Sequence, residues 1–385
     1  MESTAICYWR TPDIVRKYRT GISLHGHTNK SHENLSFLGP LLARWLPGRF
    51  LLRMMEKGNR RQGGTKFNLS DGYWTSPVSP TKGFELECRH IGKLGLSPFV
   101  SITDHDEIAA CLVLRRKFST RDIPISFEWT VPFGDVSFHL GVHNLPPEKA
   151  ADIHARLTAD GKFLTMERLW KFLRELAGYP DALTVLNHPL IKEGNITEAM
   201  QEAKVREFLS FATPFTGPTL IHALELNGMQ GPETNHRVSE IARELGYPVI
   251  SGGDRHGFEP NCILNLTNAA TFSAFVREVR SGKSCVLFTP RYRKNIGWRY
   301  FANTLFMMKK YRRYPKQWHK WPRRVYYQCA DGVTRSLGEL CQRGHVAIWW
   351  LDRVVWLAST LHLLSRGYLG NADKNKLLAM EESFK

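Results

Sequence analysis

Between residues 21 and 290, short runs of β-forming apolar residues alternate with amphipathic stretches of helical period, and few folds satisfy that rhythm. A strand followed by a helix and a second strand is most simply placed beside its predecessor in a parallel sheet, with the helix covering one face. Strands are expected over residues 21–27, 99–103, 125–131, 136–142, 183–187, 220–226 and 249–251. Helices are expected over 147–159, 166–176, 197–211, 233–245 and 271–281. Gly246-Tyr247-Pro248 marks one helix-to-strand boundary, because glycine ends a helix and the proline after it cannot continue one. Seven strands with helices between them predict an α/β fold, a closed or nearly closed β/α barrel. Residues 33–81 break the rhythm with Gly, Pro and Arg and read as an insertion. After Pro290 the alternation stops. The expected division is therefore a barrel over 1–290 and a basic, aromatic, mostly helical C-terminal extension over 291–385.

A chain of 385 residues with 42% hydrophobic and 23% charged residues has the composition of a folded protein and leaves no room for wholesale disorder. Its seven cysteines are odd in number, scattered and never spaced as C-x-x-C, so neither a thiolate zinc site nor a disulfide framework is indicated and reduced thiols are expected. The first twenty residues lack the apolar core of a secretory signal, so a cytoplasmic location is expected. The formal charge of +17 sits in two places. Residues 41–66 hold seven Lys/Arg and one Glu, and residues 291–324 hold twelve Lys/Arg and no acid.

The chemistry lies at the ends of the expected strands. Leu24-His25-Gly26-His27-Thr28 closes the first, and side chains two apart on a strand point the same way, so His25 and His27 can reach one metal ion. Thr103-Asp104-His105-Asp106 follows the run FVSI, and Gly253-Asp254-Arg255-His256 follows YPVI. Each puts Asp and His where a β/α barrel collects its reactive groups. Glu128 and His139 lie on two further expected strands, and His188-Pro189 ends another. Any one of these is more simply a hydrogen-bonded core histidine or a surface acid. Their recurrence on strand after strand favours a shared site, and imidazole with carboxylate suits zinc, manganese or iron.

This ordered set resembles the PHP (polymerase and histidinol phosphatase) superfamily, whose motifs run H-x-H, T-D-H-D, a Glu after a short strand, a His eleven residues on, His-Pro, and G-x-D-x-H. The resemblance spans about residues 21–290 and implies a distorted seven-stranded β/α barrel. It implies two or three divalent ions held by His25, His27, His105, Glu128, His139, His188, Asp254 and His256. The family has a further ligand a few residues after H-x-H, for which His32 is the candidate here and Glu33 the competing choice. Where the family commonly carries an acid before the first Leu-His, an outer partner able to orient an imidazole, this chain has Ser23.

The implied activity is phosphoester hydrolysis, with water acidified by the ions and charge on the phosphoryl group neutralised by them. His105, Asp254 and His188 are the candidate catalytic residues. As ligands, His188 and Asp254 are poor free bases, so no separate base is assigned. Lys30 and Arg255 are candidates for substrate phosphate, Arg255 being equally suited to a buried salt bridge.

The nine aromatics interleaved with the twelve cations of 291–324 suit an anionic membrane surface or nucleic acid. Residues 345–364 are nearly apolar, but Asp352 and Arg353 at their centre disfavour a membrane span and favour a helix that packs or lies at a membrane interface. The leading expectation is a phosphatase or phosphodiesterase acting on a small phosphorylated molecule or an anionic, lipid-like substrate, peripheral at the inner face of a membrane. The alternatives are a nuclease, or a catalytically weak metal-binding module docking through its basic tail.

Overall fold

The computed structural model describes residues 2–34, 72–191, 196–214, 219–294, 323–329 and 331–340, together with Arg49, Arg53, Glu56, Lys57, Arg60, Ile296, Arg299 and Arg353. The chain divides into two compact units. One comprises Met1–Lys30, Val78–Tyr300 and Gly370–Lys385, and the other Ser31–Pro77 and Phe301–Leu369.

The first unit is mixed α/β. Its strands are β1 (Glu2–Cys7), β2 (Thr20–Ser23), β5 (Ser97–Val100), β6 (Phe127–Phe133), β7 (Val136–His143), β8 (Leu183–Leu186), β9 (Ala223–Asn227), β10 (Val249–Gly252), β11 (Ile263–Thr267) and β12 (Lys283–Phe288). They form two five-stranded sheets, ordered β1-β12-β11-β2-β5 and β10-β9-β8-β7-β6, rather than one continuous ladder. Each of the seven expected strands overlaps an observed one, and β1, β11 and β12 are additional.

The expectation of a parallel sheet fails at β11, which is antiparallel to both β2 and β12, and among the expected strands at β7, which is antiparallel to both β6 and β8. At β7 the reason is the link between β6 and β7. Only Gly134 and Asp135 separate them, enough for a hairpin, whereas a parallel crossover takes a dozen residues or more.

Beyond the strand ends the two sheets touch along both edges. A parallel bridge joins Gly26 to Arg255 and another joins His105 to Glu128. At the first of these, the His27 amide donates to the Arg255 carbonyl at 2.7 Å, and the Gly253 amide to the Leu24 carbonyl at 3.1 Å. Lower down, where β2 pairs with β11, the Asn265 side chain replaces a ladder, accepting from the Ser251 amide at 2.8 Å.

Hydroxyl caps start the helices that cover these sheets. Ser79, Thr165, Thr197 and Thr271 each accept from a first-turn amide, at the heads of Pro80–Gly92, Met166–Ala177, Glu198–Phe211 and Phe272–Arg280. Helix Pro232–Leu245 ends on Gly246, whose φ of 77° is the left-handed stop expected there. Ile22 and Leu24 from one sheet pack with Leu183, Val185, Ala223 and Ile250 from the other, together with Phe272, Phe275, Val276 and Val279. That apolar cluster is the base on which the polar residues above the strand ends stand.

The second unit contains a four-stranded antiparallel sheet, β14-β13-β4-β3, built from Glu33–Asn34 (β3), Gly72–Trp74 (β4), Val325–Gln328 (β13) and Thr334–Ser336 (β14). It pairs strands from the two segments whose composition broke the barrel rhythm. The Arg324 guanidinium ties them further by donating to the Thr75 carbonyl and hydroxyl. Where 291–385 is described it therefore includes strands as well as the short helix Leu337–Leu340. Most of 41–66, 291–324 and 345–364 lies outside the described residues. Among the described residues no helix is long and apolar enough to cross a membrane.

Candidate metal centre

The first unit gathers eight of the residues singled out from the sequence into one cluster. His25 and His27 lie just past β2, His105 past β5, His188 past β8, and Asp254 and His256 past β10. Glu128 and His139 lie within β6 and β7. Parallel strands run in one direction, so their ends deliver side chains to the same side of the sheet, and β7 contributes from its middle.

Glu128 is the hub. Its Oε2 lies 3.1 Å from His25 Nε2, 3.3 Å from His27 Nε2 and 3.4 Å from His105 Nδ1, while its Oε1 lies 3.1 Å from His188 Nε2 and 3.5 Å from His139 Nδ1. Asp254 Oδ1 extends the cluster, at 3.6 Å from His25 Nε2, 3.4 Å from His27 Nε2 and 3.3 Å from His256 Nδ1. His25 Nε2 and His27 Nε2 are themselves 3.1 Å apart. Two ligand atoms 2.0–2.1 Å from one ion, in octahedral to tetrahedral arrangement, are about 2.9–3.4 Å apart. His25–His27 at 3.1 Å and His27–Asp254 at 3.4 Å fall within that range, and His25–Asp254 at 3.6 Å lies just beyond it. Those three form one group able to hold an ion, and His105, Glu128 and His139 form another.

Burial grades across the cluster. The side chains of His25, His27 and Glu128 are sealed off, whereas His105 and His139 are each 16% exposed and His256 25%. The cluster thus has a dry floor and a wetter rim. Three of the ligand candidates also hold left-handed backbone, with φ of 59° at His25, 27° at His188 and 48° at Asp254. Side-chain-bearing residues seldom adopt that conformation, and it concentrates at functional sites.

The charges are mutually dependent. Burial alone would raise the Glu128 carboxyl, but His25, His105 and His139 around it hold it well below the ordinary carboxylate range. Asp254 is held down likewise, against burial, by His256 and His25. Burial pushes His25 down, yet Glu128, Glu225 and Asp254 together carry it well above an ordinary imidazole. His188 ends raised for similar reasons. His139, where burial dominates, is pushed down to about 3.

The remaining candidates lie elsewhere. Arg255 is 2% exposed; its Nε lies 2.9 Å from Glu87 Oε1 and its Nη1 donates to the Gly257 carbonyl at 2.9 Å. Of the two roles open to it, the structure gives the buried salt bridge. Lys30 is exposed in the turn after His27, its amide donating to the Thr28 hydroxyl. His32 belongs to the second unit, where its exposed ring stacks on Tyr73 with centroids 4.4 Å apart.

Three polar partners were not anticipated from the sequence. Asn187 donates to Glu128 Oε1 at 2.9 Å, Asn227 donates to Glu225 and Asp254, and Glu225 Oε1 lies 2.6 Å from His25 Nδ1. The readable signal for the last two was Ala-Leu-Glu-Leu-Asn in an otherwise apolar strand. An acid and an amide two apart in a fully buried β9 must share a polar face. At Ser23 no acid is present in sequence, but Glu87 brings a carboxylate to it from helix Pro80–Gly92, with Ser23 Oγ donating to Glu87 Oε2 at 3.1 Å.

No protein-family model and no curated protein matches this sequence. Several solved structures overlap parts of it, among them the following two. One, from Bifidobacterium adolescentis and assigned as a metal-dependent phosphoesterase, is 15% identical and covers 48% of this chain and 85% of its own, with a TM-score of 0.29. The other, an amidohydrolase from Chromobacterium violaceum with bound sulfate and no metal, is 14% identical and covers 61% of this chain and 87% of its own, with a TM-score of 0.29. At that degree of overlap neither decides what this chain does.

Proposed function

We propose that this chain is a metal-dependent phosphoric ester hydrolase whose ions are held by His25, His27, His105, Glu128, His139, His188, Asp254 and His256. The observation that carries the reading is Glu128, buried and facing five imidazoles, three on one oxygen and two on the other. A carboxylate divided between two sets of neutral donors suits a bridge between two cations. Divalent ions bound there would supply Lewis acidity and an acidified water for attack on phosphorus.

The chain's own groups fit that chemistry. Glu128 and Asp254, both kept ionised, serve as ligands and not as proton donors. Two or three divalent ions set against these two carboxylates and neutral imidazoles leave the centre cationic, which favours an anionic ester over an amide. The partly exposed His105, His139 and His256 form the side from which the ester enters.

The scaffold is read as a distorted seven-stranded barrel. Following the ladders and the two bridges leads from β2 through β5, β6, β7, β8, β9 and β10 back to β2, with the wall splayed where β11 takes up the edge of β2. The substrate class is a small phosphorylated molecule or an anionic lipid headgroup, the latter suggested by the basic, aromatic composition of 291–324. Hydrolysis of generic phosphomonoesters and diesters by the purified chain, with Mn2+, Zn2+ or Fe2+ added, tests the reading. Metal-dependent turnover abolished by His105→Ala with Asp254→Ala supports it, and metal-independent turnover, or none with bound metal present, counts against it.

A further inference from the structure

Glu225 stands behind His25, on the side away from Glu128. Its Oε1 lies 2.6 Å from His25 Nδ1, and its Oε2 accepts from the His188 amide at 2.6 Å. It is 1% exposed, and Asn227 Nδ2 lies 3.3 Å from Oε2. A separation of 2.6 Å is shorter than two ligands of one ion allow, about 2.9 Å even at a right angle, and is ordinary for a charge-assisted hydrogen bond. Glu225 therefore faces the imidazole edge that the ion does not use.

Gly252 makes the room. A Cβ at this position would fall 1.3 Å from Glu225 Oε1 and 2.2 Å from its carboxyl carbon, so any larger residue displaces the carboxylate. Glu225 on β9 and Gly252 on β10 lie in adjacent parallel strands, Glu225 in register with Ile250 and Gly252 with Asn227.

We infer that Glu225, seated against Gly252, is the positioning residue for two candidate ligands at once. It fixes the Nδ1–H tautomer of His25, so that Nε2 presents its lone pair to the cluster, and it fixes the backbone that carries His188. Both partners are donors and each takes one carboxylate oxygen. Glutamine has a single oxygen, so Glu225→Gln leaves one donor facing an NH2 group while keeping the volume. This inference rests on the metal-centre reading above, and partners of this kind typically change metal affinity by about 10–100-fold.

The test is the affinity of the metal-free full-length chain for Zn2+, measured by competition with a chromophoric chelator, and the visible spectrum of its Co2+ form. Glu225→Gln and Gly252→Ala are each expected to weaken Zn2+ by 10–100-fold and to shift the Co2+ bands. Glu225→Ser with Gly252→Ala, in which the clash is relieved, is expected to melt near Glu225→Ser alone and to bind Zn2+ no more weakly than it. Zn2+ affinity and a Co2+ spectrum within twofold of the unaltered chain in Glu225→Gln overturn the inference while leaving the metal centre standing. Failure of the unaltered chain itself to bind Zn2+ or Co2+ overturns both.

Discussion

The guanidinium of Arg255, the residue between Asp254 and His256, and the carboxylate of Glu87 meet at 2.9 Å with 2% and 1% of their side chains exposed. Glu87 also accepts from the Asn261 amide at 3.2 Å and from Ser23 at 3.1 Å, so one buried acid links β2, the β10 end and the segment before β11. Burial pulls the Arg255 guanidinium below its usual value and pushes the Glu87 carboxyl up, the strain of two charges removed from water.

Breaking that pair from one side strands a buried charge. Arg255→Met is expected to lower unfolding free energy by about 3–5 kcal/mol, and adding Glu87→Leu to recover most of the loss. Urea denaturation of the single and double variants checks this; equal stability of Arg255→Met and the unaltered chain would contradict it.

The left-handed backbone at Asp254 yields a second expectation. With φ at 48°, alanine there is strained and glycine is not, so Asp254→Gly should be more stable than Asp254→Ala by about 1 kcal/mol in the metal-free state. Both variants should bind metal poorly, which separates backbone strain from ligand loss. Melting curves with chelator present provide the comparison.

Protons and metal compete for the same nitrogens. His25 and His188 are held above an ordinary imidazole in the metal-free chain and so keep protons to higher pH than a free ring does, whereas His139 is pushed down to about 3. Ligation needs the neutral ring, so metal binding near pH 7 should release protons from His25 and His188, and apparent affinity should rise with pH until both are deprotonated. Calorimetry in buffers of different ionisation enthalpy measures the release. Identical heats across buffers would contradict it.

The sequence made the site more legible than the frame around it. Histidine and aspartate at strand ends announce themselves by residue type, and the seven strands between 21 and 251 by their apolar runs. Glu225 was readable only as part of a polar face shared with Asn227 on a buried strand, and its role was hidden because it depends on Gly252 and His25 arriving from other strands. The Arg255–Glu87 pair and the pairing of Gly72–Trp74 with Val325–Gln328 were hidden for the same reason, being contacts between distant segments that no local periodicity encodes. The β6–β7 hairpin was readable, since a two-residue link cannot cross over a sheet.

The most direct measurement is a titration of the metal-free chain with Mn2+ that follows bound ion and phosphodiester hydrolysis together. Hydrolysis should rise with occupancy to a plateau at two or three ions per chain, and His105→Ala with Asp254→Ala should bind fewer ions and show no turnover. A chain that binds no ion, or hydrolyses the ester equally well without one, would contradict the metal centre itself.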